Sequence, residues 1–339
     1  MPQPLFLQNI IALIWDFDKT LIPGYMEEPL FRYFNVPPKK FWEEVTGLPD
    51  FYKKSGLELV SKDTLYLNHI LTYVREGIFK GLNNKLLREL GEKIEFYPGL
   101  PDFFASVKGR IKDNPAYTNH EITVENYIVS TGLRQMILGS KIAPHVDYVW
   151  GCEFIENIAP PGYLTREKSE KGEGKTPTPK GVGAPTASVG GEKNEIIDIG
   201  YVLDNTTKTR AIFEINKGTT KISDIDVNAA IKPEDRRIPF QNMIYVADGP
   251  SDVPVFSIVN QYQGKTFAVY NPQKPEEFRQ VNELQKQGRV QSFGEASYID
   301  GSQTFMWLTN TVEEIAGRIV RGRERAVGDK VGAPPRHLG

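Results

Sequence analysis

Residues 10–20 read Ile10-Ile11-Ala12-Leu13-Ile14-Trp15-Asp16-Phe17-Asp18-Lys19-Thr20. Six consecutive apolar residues leave no polar face, which suits a strand buried on both sides of a parallel sheet. The run stops at Asp16, and a second carboxylate follows at Asp18. In an extended segment, side chains at i and i+2 point the same way. Open α/β sheets bind their ligands at the carboxyl ends of their strands. A strand-end Asp16 suits a nucleophile, and Asp18 beside it suits a proton donor and acceptor. A plain turn, in which Asp is common, accounts equally for the pair taken alone.

The character changes after Pro23-Gly24. From residue 26 to 93 no strand candidate occurs. Leu30, Phe31 and Phe34 share a helical face, and Phe41, Trp42 and Val45 begin another helix after Pro37-Pro38. Leu57, Val60, Leu65, Leu67, Ile70, Leu71 and Val74 predict a long third helix. Leu82, Leu86, Leu87 and Leu90 predict a fourth, ending near Gly91. The stretch therefore reads as an all-helical subdomain, most of whose aromatics form core.

The chain returns to the sheet at Tyr97-Pro98-Gly99. Strands are expected at 122–129, 148–150, 242–247 and 266–270. Residues 196–203 suit a hairpin arm or a short strand, and residues 275–287 a helix. Alternating buried strands and helices predict a doubly wound, mostly parallel α/β sheet. The expected organisation is a core of residues 1–24 and 97–320, a helical insertion at 25–96 and a tail at 321–339. Within the core, residues 165–195 contain Lys-Gly-Glu-Gly, Thr-Pro-Thr-Pro and Gly-Val-Gly-Ala-Pro. That composition predicts a disordered insertion, because it buries too little apolar area to offset the entropy of ordering.

Three further clusters carry chemistry. Asp248-Gly249-Pro250-Ser251-Asp252 follows the strand at 242–247 and brings two more carboxylates to a tight turn. Hard oxygen ligands of this kind suit Mg²⁺; an Asx or type I turn accounts equally well for the pentapeptide taken alone. Ser130-Thr131-Gly132 ends another strand just before a helix, where hydroxyls and free N–H groups hold anions or merely cap the helix. A lysine is needed against phosphate charge. Lys208, at the start of a helical pattern, and Lys217, at its end, both qualify.

The order Asp-x-Asp-x-Thr, Ser-Thr-Gly, Lys, Asp-Gly-x-Ser-Asp resembles the haloacid dehalogenase (HAD) superfamily of aspartate-nucleophile phosphatases. The helical stretch after the first motif resembles the cap of its phosphoserine-phosphatase-like branch. The resemblance spans about residues 10–270. It implies a Rossmann-like core with a cap, and a small phosphorylated metabolite as substrate. Asp16 is then the nucleophile and a Mg²⁺ ligand. Asp18 is the general acid/base, with its carbonyl on the metal, and Asp248 is the third metal ligand. Ser130, Thr131 and Gly132 hold the phosphate, Asp252, Thr20 and Gly249 support the site, and Lys208 is the preferred lysine. Two departures stand out: position 250 is Pro, and Tyr25 stands where phosphoserine phosphatases carry a substrate-contacting Glu, with Glu27 and Glu28 out of register.

Composition sets the outer bounds. The 339 residues carry 41 Lys and Arg against 43 Asp and Glu, a net charge of -2. Nothing in that balance favours nucleic acid or an anionic membrane surface. A single cysteine, Cys152, excludes an intramolecular disulfide and a Cys-rich zinc site. Cys152 itself reads as buried and inert. The expectation is a soluble cytoplasmic Mg²⁺-dependent phosphomonoesterase. A phosphotransferase uses the same residues with another acceptor. A non-catalytic binding protein of the same fold has no need of a carboxylate at position 18.

Overall fold

The computed structural model describes residues 6–164, 195–222 and 225–331. Of the insertion expected at 165–195, residues 165–194 lie outside the described residues, as does the end of the expected tail, 332–339.

The first apolar run forms β1 (Ile10–Trp15), in which every residue after Ile10 is buried. It takes the centre of a seven-stranded sheet. The other strands are β2 (Thr123–Leu133), β3 (Tyr148–Ile155), β4 (Asp198–Tyr201), β5 (Met243–Ala247), β6 (Lys265–Tyr270) and β7 (Ser292–Glu295). Their spatial order is β4-β3-β2-β1-β5-β6-β7. All pairings are parallel except β3 with β4. The fold is therefore the expected α/β class, with residues 198–201 taking the hairpin-arm alternative. Successive connections run outward from β1 towards β3 and from β5 towards β7. The boundary between β1 and β5 is thus a topological switch point, where such sheets open a crevice.

Four of the helices that follow β1 make up the insertion. They are α1 (Glu28–Tyr33), α2 (Pro38–Lys54), α3 (Lys62–Arg75) and α4 (Asn84–Gly91). The insertion leaves and returns side by side, because the Tyr97 N–H donates to the Leu21 carbonyl at 2.9 Å. The third helix starts later than the apolar spacing predicts. Ser61 caps it by accepting from the Thr64 N–H, and Leu57 and Leu59 lie exposed before it. A Ser cap satisfies an otherwise orphaned donor, so it overrides two leucines with nothing to pack on.

The core helices are α5 (Asp102–Lys112), α6 (Pro115–Thr118), α7 (Arg134–Gly139), α8 (Lys208–Lys217), α9 (Val253–Gln261), α10 (Pro275–Lys286) and α11 (Gln303–Val331). The sequence reading passed over α5, whose buried Phe103, Phe104, Val107 and Ile111 sit at helical spacing. The aromatic rings of Phe103, Phe104 and Tyr298 pack edge-on around Trp15. The tail expected to fray from residue 321 instead begins as helix, since α11 continues to Val331. Among the described residues, no helix is long and apolar enough to cross a membrane.

The insertion is fastened to the core along one seam. A Cβ on Gly139 of α7 would stand 1.9 Å from the Arg88 carbonyl oxygen of α4. A Cβ on Gly91 would stand 2.1 Å from the Met136 carbonyl oxygen. Two glycines thus let the two helices approach backbone to backbone, a distance no other residue permits. At the start of α4, the Asn84 N–H and side chain add bonds to Glu156 (2.6 Å) and to the Phe154 carbonyl (3.1 Å).

Candidate active site

Strand register sets the site. Trp15 lies opposite Ile128 on one side and Val246 on the other. One residue further along β1 and two further along β2 and β5, Asp16, Ser130 and Asp248 therefore reach one sheet edge together. The Asp16 N–H continues the ladder by donating to the Val246 carbonyl at 2.9 Å.

Asp16 is buried, and so is Lys208. The start of α8 is fixed by Asp204, whose Oδ1 accepts from the N–H groups of Thr206 (2.8 Å) and Thr207 (2.6 Å). This turn places Lys208 in the first turn of the helix, with Nζ 2.6 Å from Asp16 Oδ1 and 2.7 Å from Asp252 Oδ1. Lys217, at the other end of α8, turns away instead and donates to the carbonyls of Val227 and Ala229. Of the two candidate lysines, the fold brings Lys208 to the carboxylates. Burial opposes its charge, but the Asp16 and Asp252 carboxylates outweigh that penalty and hold the ammonium protonated.

The other polar atoms at this edge are paired. Thr20 Oγ1 donates to Asp16 Oδ2 at 3.2 Å. The Tyr245 hydroxyl donates to Asp252 Oδ1 at 2.5 Å, and Ser251 Oγ to Asp252 Oδ2 at 3.0 Å. Gly249 stands between the carboxylates of the Asp248 turn, and its backbone passes against the Gln280 side chain. The sequence reading missed Tyr245 and Ser251. Tyr245 sits inside a continuous buried run and carries no sign of a polar role.

Asp16, Asp248 and Asp252 each present a carboxylate oxygen, and these atoms lie within 4.8 Å of one another. Lys208 answers the charge of Asp16 and Asp252. Asp248 is left among like charges, and burial together with Asp16 and Asp252 pushes its carboxyl up to about 8. Burial likewise raises Asp16 to about 6, against the opposing pull of Lys208. Three hard, crowded oxygen donors with too little positive charge between them fit a divalent cation such as Mg²⁺. The sequence reading gave Asp252 a supporting role; here it belongs to the carboxylate cluster itself.

Asp18 accepts the Met26 N–H at 2.9 Å. Burial first, then the charges of Glu27 and Asp16, raises its carboxyl well above the ordinary aspartate range. An aspartate so placed favours its protonated form more than an ordinary aspartate does.

Ser130 is buried at the end of β2, and its Oγ accepts the Gly132 N–H at 3.1 Å. The segment 130–132 still belongs to β2, and α7 begins at Arg134. Ser130 and Gly132 are therefore strand-end residues rather than helix caps. Thr131 is tied from two sides: its carbonyl accepts from the Tyr66 hydroxyl (2.6 Å) and from Cys152 Sγ (3.2 Å). Cys152 is buried, and burial pushes its thiol up to about 11. It is the inert packing residue expected.

Glu27, Tyr25, Trp42, Asp63, Tyr66, Thr131 and Asp18 line a cavity of about 220 Å³ between the insertion and the sheet edge. The sequence reading singled out Trp42 only among the cap aromatics and set Glu27 aside as out of register.

No protein-family model matches the chain. An uncharacterized protein from Borreliella burgdorferi is 39% identical over 309 residues, which cover 90% of this chain and 97% of that protein. Solved structures of similar fold include HAD-family hydrolases and phosphoserine phosphatases. A probable phosphoserine phosphatase from Vibrio cholerae is 13% identical over 93% of this chain and 68% of its own, with a TM-score of 0.46. A HAD family hydrolase from Salmonella enterica serovar Typhi is 14% identical over 86% and 68%, with a TM-score of 0.44. A likeness of this degree says nothing of activity.

Proposed function

We propose, for a chain that belongs to one family with the Borreliella burgdorferi protein, the chemistry of a HAD-type phosphomonoesterase that hydrolyses a small phosphorylated metabolite. The observation that carries this reading is the buried Asp16–Lys208–Asp252 chain, with Asp18 two residues away and raised towards its protonated form.

In this reading the Asp16 carboxylate attacks phosphorus. An Asp16–phosphorus bond forms as the ester P–O bond breaks, and Asp18 gives its proton to the leaving oxygen. Asp18 then takes a proton from water, whose oxygen attacks phosphorus, breaks the bond to Asp16 and frees phosphate. Lys208 holds Asp16 in line and offsets negative charge on the transferring group. Ser130 and the backbone of Thr131 and Gly132 hold the phosphate oxygens. Asp16, Asp248 and the Asp18 carbonyl are the proposed metal ligands, and Asp252 reinforces them through the same carboxylate cluster. Mg²⁺ held there would supply positive charge to the phosphoryl oxygens.

The test is phosphate release from p-nitrophenyl phosphate. Wild-type protein with Mg²⁺ releases phosphate, and chelation with EDTA stops it. Asp16→Asn lowers the rate by about 10³-fold or more, as removal of a nucleophile does. Folded wild-type protein that binds Mg²⁺ and releases nothing contradicts the reading.

A further inference from the structure

We propose that the cavity between the helical insertion and the sheet receives a positively charged leaving group, so that the substrate is the phosphate ester of an amino alcohol. This rests on the phosphomonoesterase reading and adds the chemical class that the enzyme selects.

The cavity stands where a leaving group must go. Asp18, Thr131 and Gly132 form its floor, beside the proposed phosphate position, and Trp42, Asp63 and Tyr66 rise from the insertion. Its volume, about 220 Å³, has room for a small amino alcohol.

Three observations fix the sign of the charge. First, Asp18, Glu27 and Asp63 line it, and the basic residue among its lining side chains is Lys62, which is exposed at the rim. An anionic leaving group would face three carboxylates at close range.

Second, Glu27 is 2% exposed, yet its Oε2 has no hydrogen-bond partner among the described residues. A buried carboxylate oxygen without a donor is costly, and native proteins rarely keep one without a use. An ammonium in the cavity supplies the missing donor or the missing charge. Burial raises the Glu27 carboxyl to about 7, the behaviour of a carboxylate that lacks a counter-charge.

Third, the walls are aromatic. The Trp42 ring lies 5.4 Å from Tyr25 and 6.0 Å from Tyr66, centre to centre. Organic cations are attracted to such faces, and aromatic residues with carboxylates are the usual way to hold an alkylammonium. Lys19 already stands 4.6 Å from the centre of the Tyr25 ring. Recognition in the cavity therefore falls to Trp42 and Tyr66.

The experiment compares matched pairs of esters on the full chain with Mg²⁺. One pair is 2-aminoethyl phosphate and propyl phosphate. The other is choline phosphate and 3,3-dimethylbutyl phosphate, in which carbon replaces the charged nitrogen. The expected result is a kcat/KM at least tenfold higher for the cationic member of one pair. Glu27→Gln brings that ratio several-fold closer to unity, and Trp42→Leu does so as well. The wild-type ratio needs no variant to fold, so it decides the matter alone. Equal rates within both pairs, with p-nitrophenyl phosphate still turned over, overturn this inference and leave the phosphomonoesterase reading standing. No turnover of any ester overturns both.

Discussion

The sheet edge and the cavity wall lie side by side, yet they treat their polar groups in opposite ways. At the edge, Lys208, Tyr245, Ser251 and Thr20 bond both oxygens of Asp16 and of Asp252. On the wall, Glu27 Oε2 and Trp42 Nε1 are buried with no hydrogen-bond partner among the described residues. In the first arrangement Asp16 and Asp252 are held by the fold itself, as fixed chemistry on a reacting group requires, and only Asp248 is left among like charges. The second is completed by something else, which is what selection requires. The difference teaches that one crevice combines an end whose Asp16 and Asp252 are bonded within the fold with an end that keeps a buried carboxylate oxygen unpaired among the described residues.

The seam between α4 and α7 keeps the two ends in register. Without the close approach at Gly91 and Gly139, the insertion would ride further from α7 and the cavity would change shape.

The largest expected effect comes from breaking the finished end. Lys208→Met leaves Asp16 and Asp252 buried as like charges, and loss of one partner of such a cluster costs about 3–5 kcal/mol. Denaturant unfolding should register that loss, with turnover abolished. An unfolding midpoint equal to wild type would show that the pairing contributes little to the fold.

A smaller effect comes from the seam. Gly139→Ala puts a Cβ against the Arg88 carbonyl, a backbone atom that cannot swing aside. Overpacking of this kind costs about 1–3 kcal/mol. The melting temperature should fall, and KM should rise more than kcat falls. An unchanged melting temperature would show that the helices separate freely.

The smallest effect reverses the direction. Glu27 binds its proton more tightly in the folded chain, at about 7, than at its ordinary 4.5. Over that range the unfolded chain is the more ionised, so wild-type stability falls as pH rises from about 4.5 to about 7. Glu27→Gln removes this slope. The variant should therefore gain melting temperature relative to wild type between pH 5 and pH 8. A parallel pH dependence in both proteins would mean that Glu27 has a partner in solution.

Much of the catalytic end was legible in the sequence, and little of the other. Asp16, Asp18 and Asp248 follow apolar strands, and a carboxylate at a strand end is visible without a fold. Lys208 showed as the first residue of an amphipathic pattern, although Lys217 competed until α8 turned it away. Tyr245 was hidden because strand β5 reads as uniform core. Glu27, Trp42 and Tyr66 belong to separate parts of the insertion, and each reads as ordinary helix packing. Only the tertiary fold brings them to one cavity. The helix α5 was missed for a simpler reason: Pro101 and Asp113 bracket it so closely that its apolar period is short.

The most direct test of the central claim is mass analysis of protein quenched in acid during turnover of p-nitrophenyl phosphate with Mg²⁺. The account predicts one phosphoryl group on the peptide that carries Asp16, absent in Asp16→Asn. Sustained turnover with no phosphoryl group on that peptide, or with the group on another residue, would contradict it.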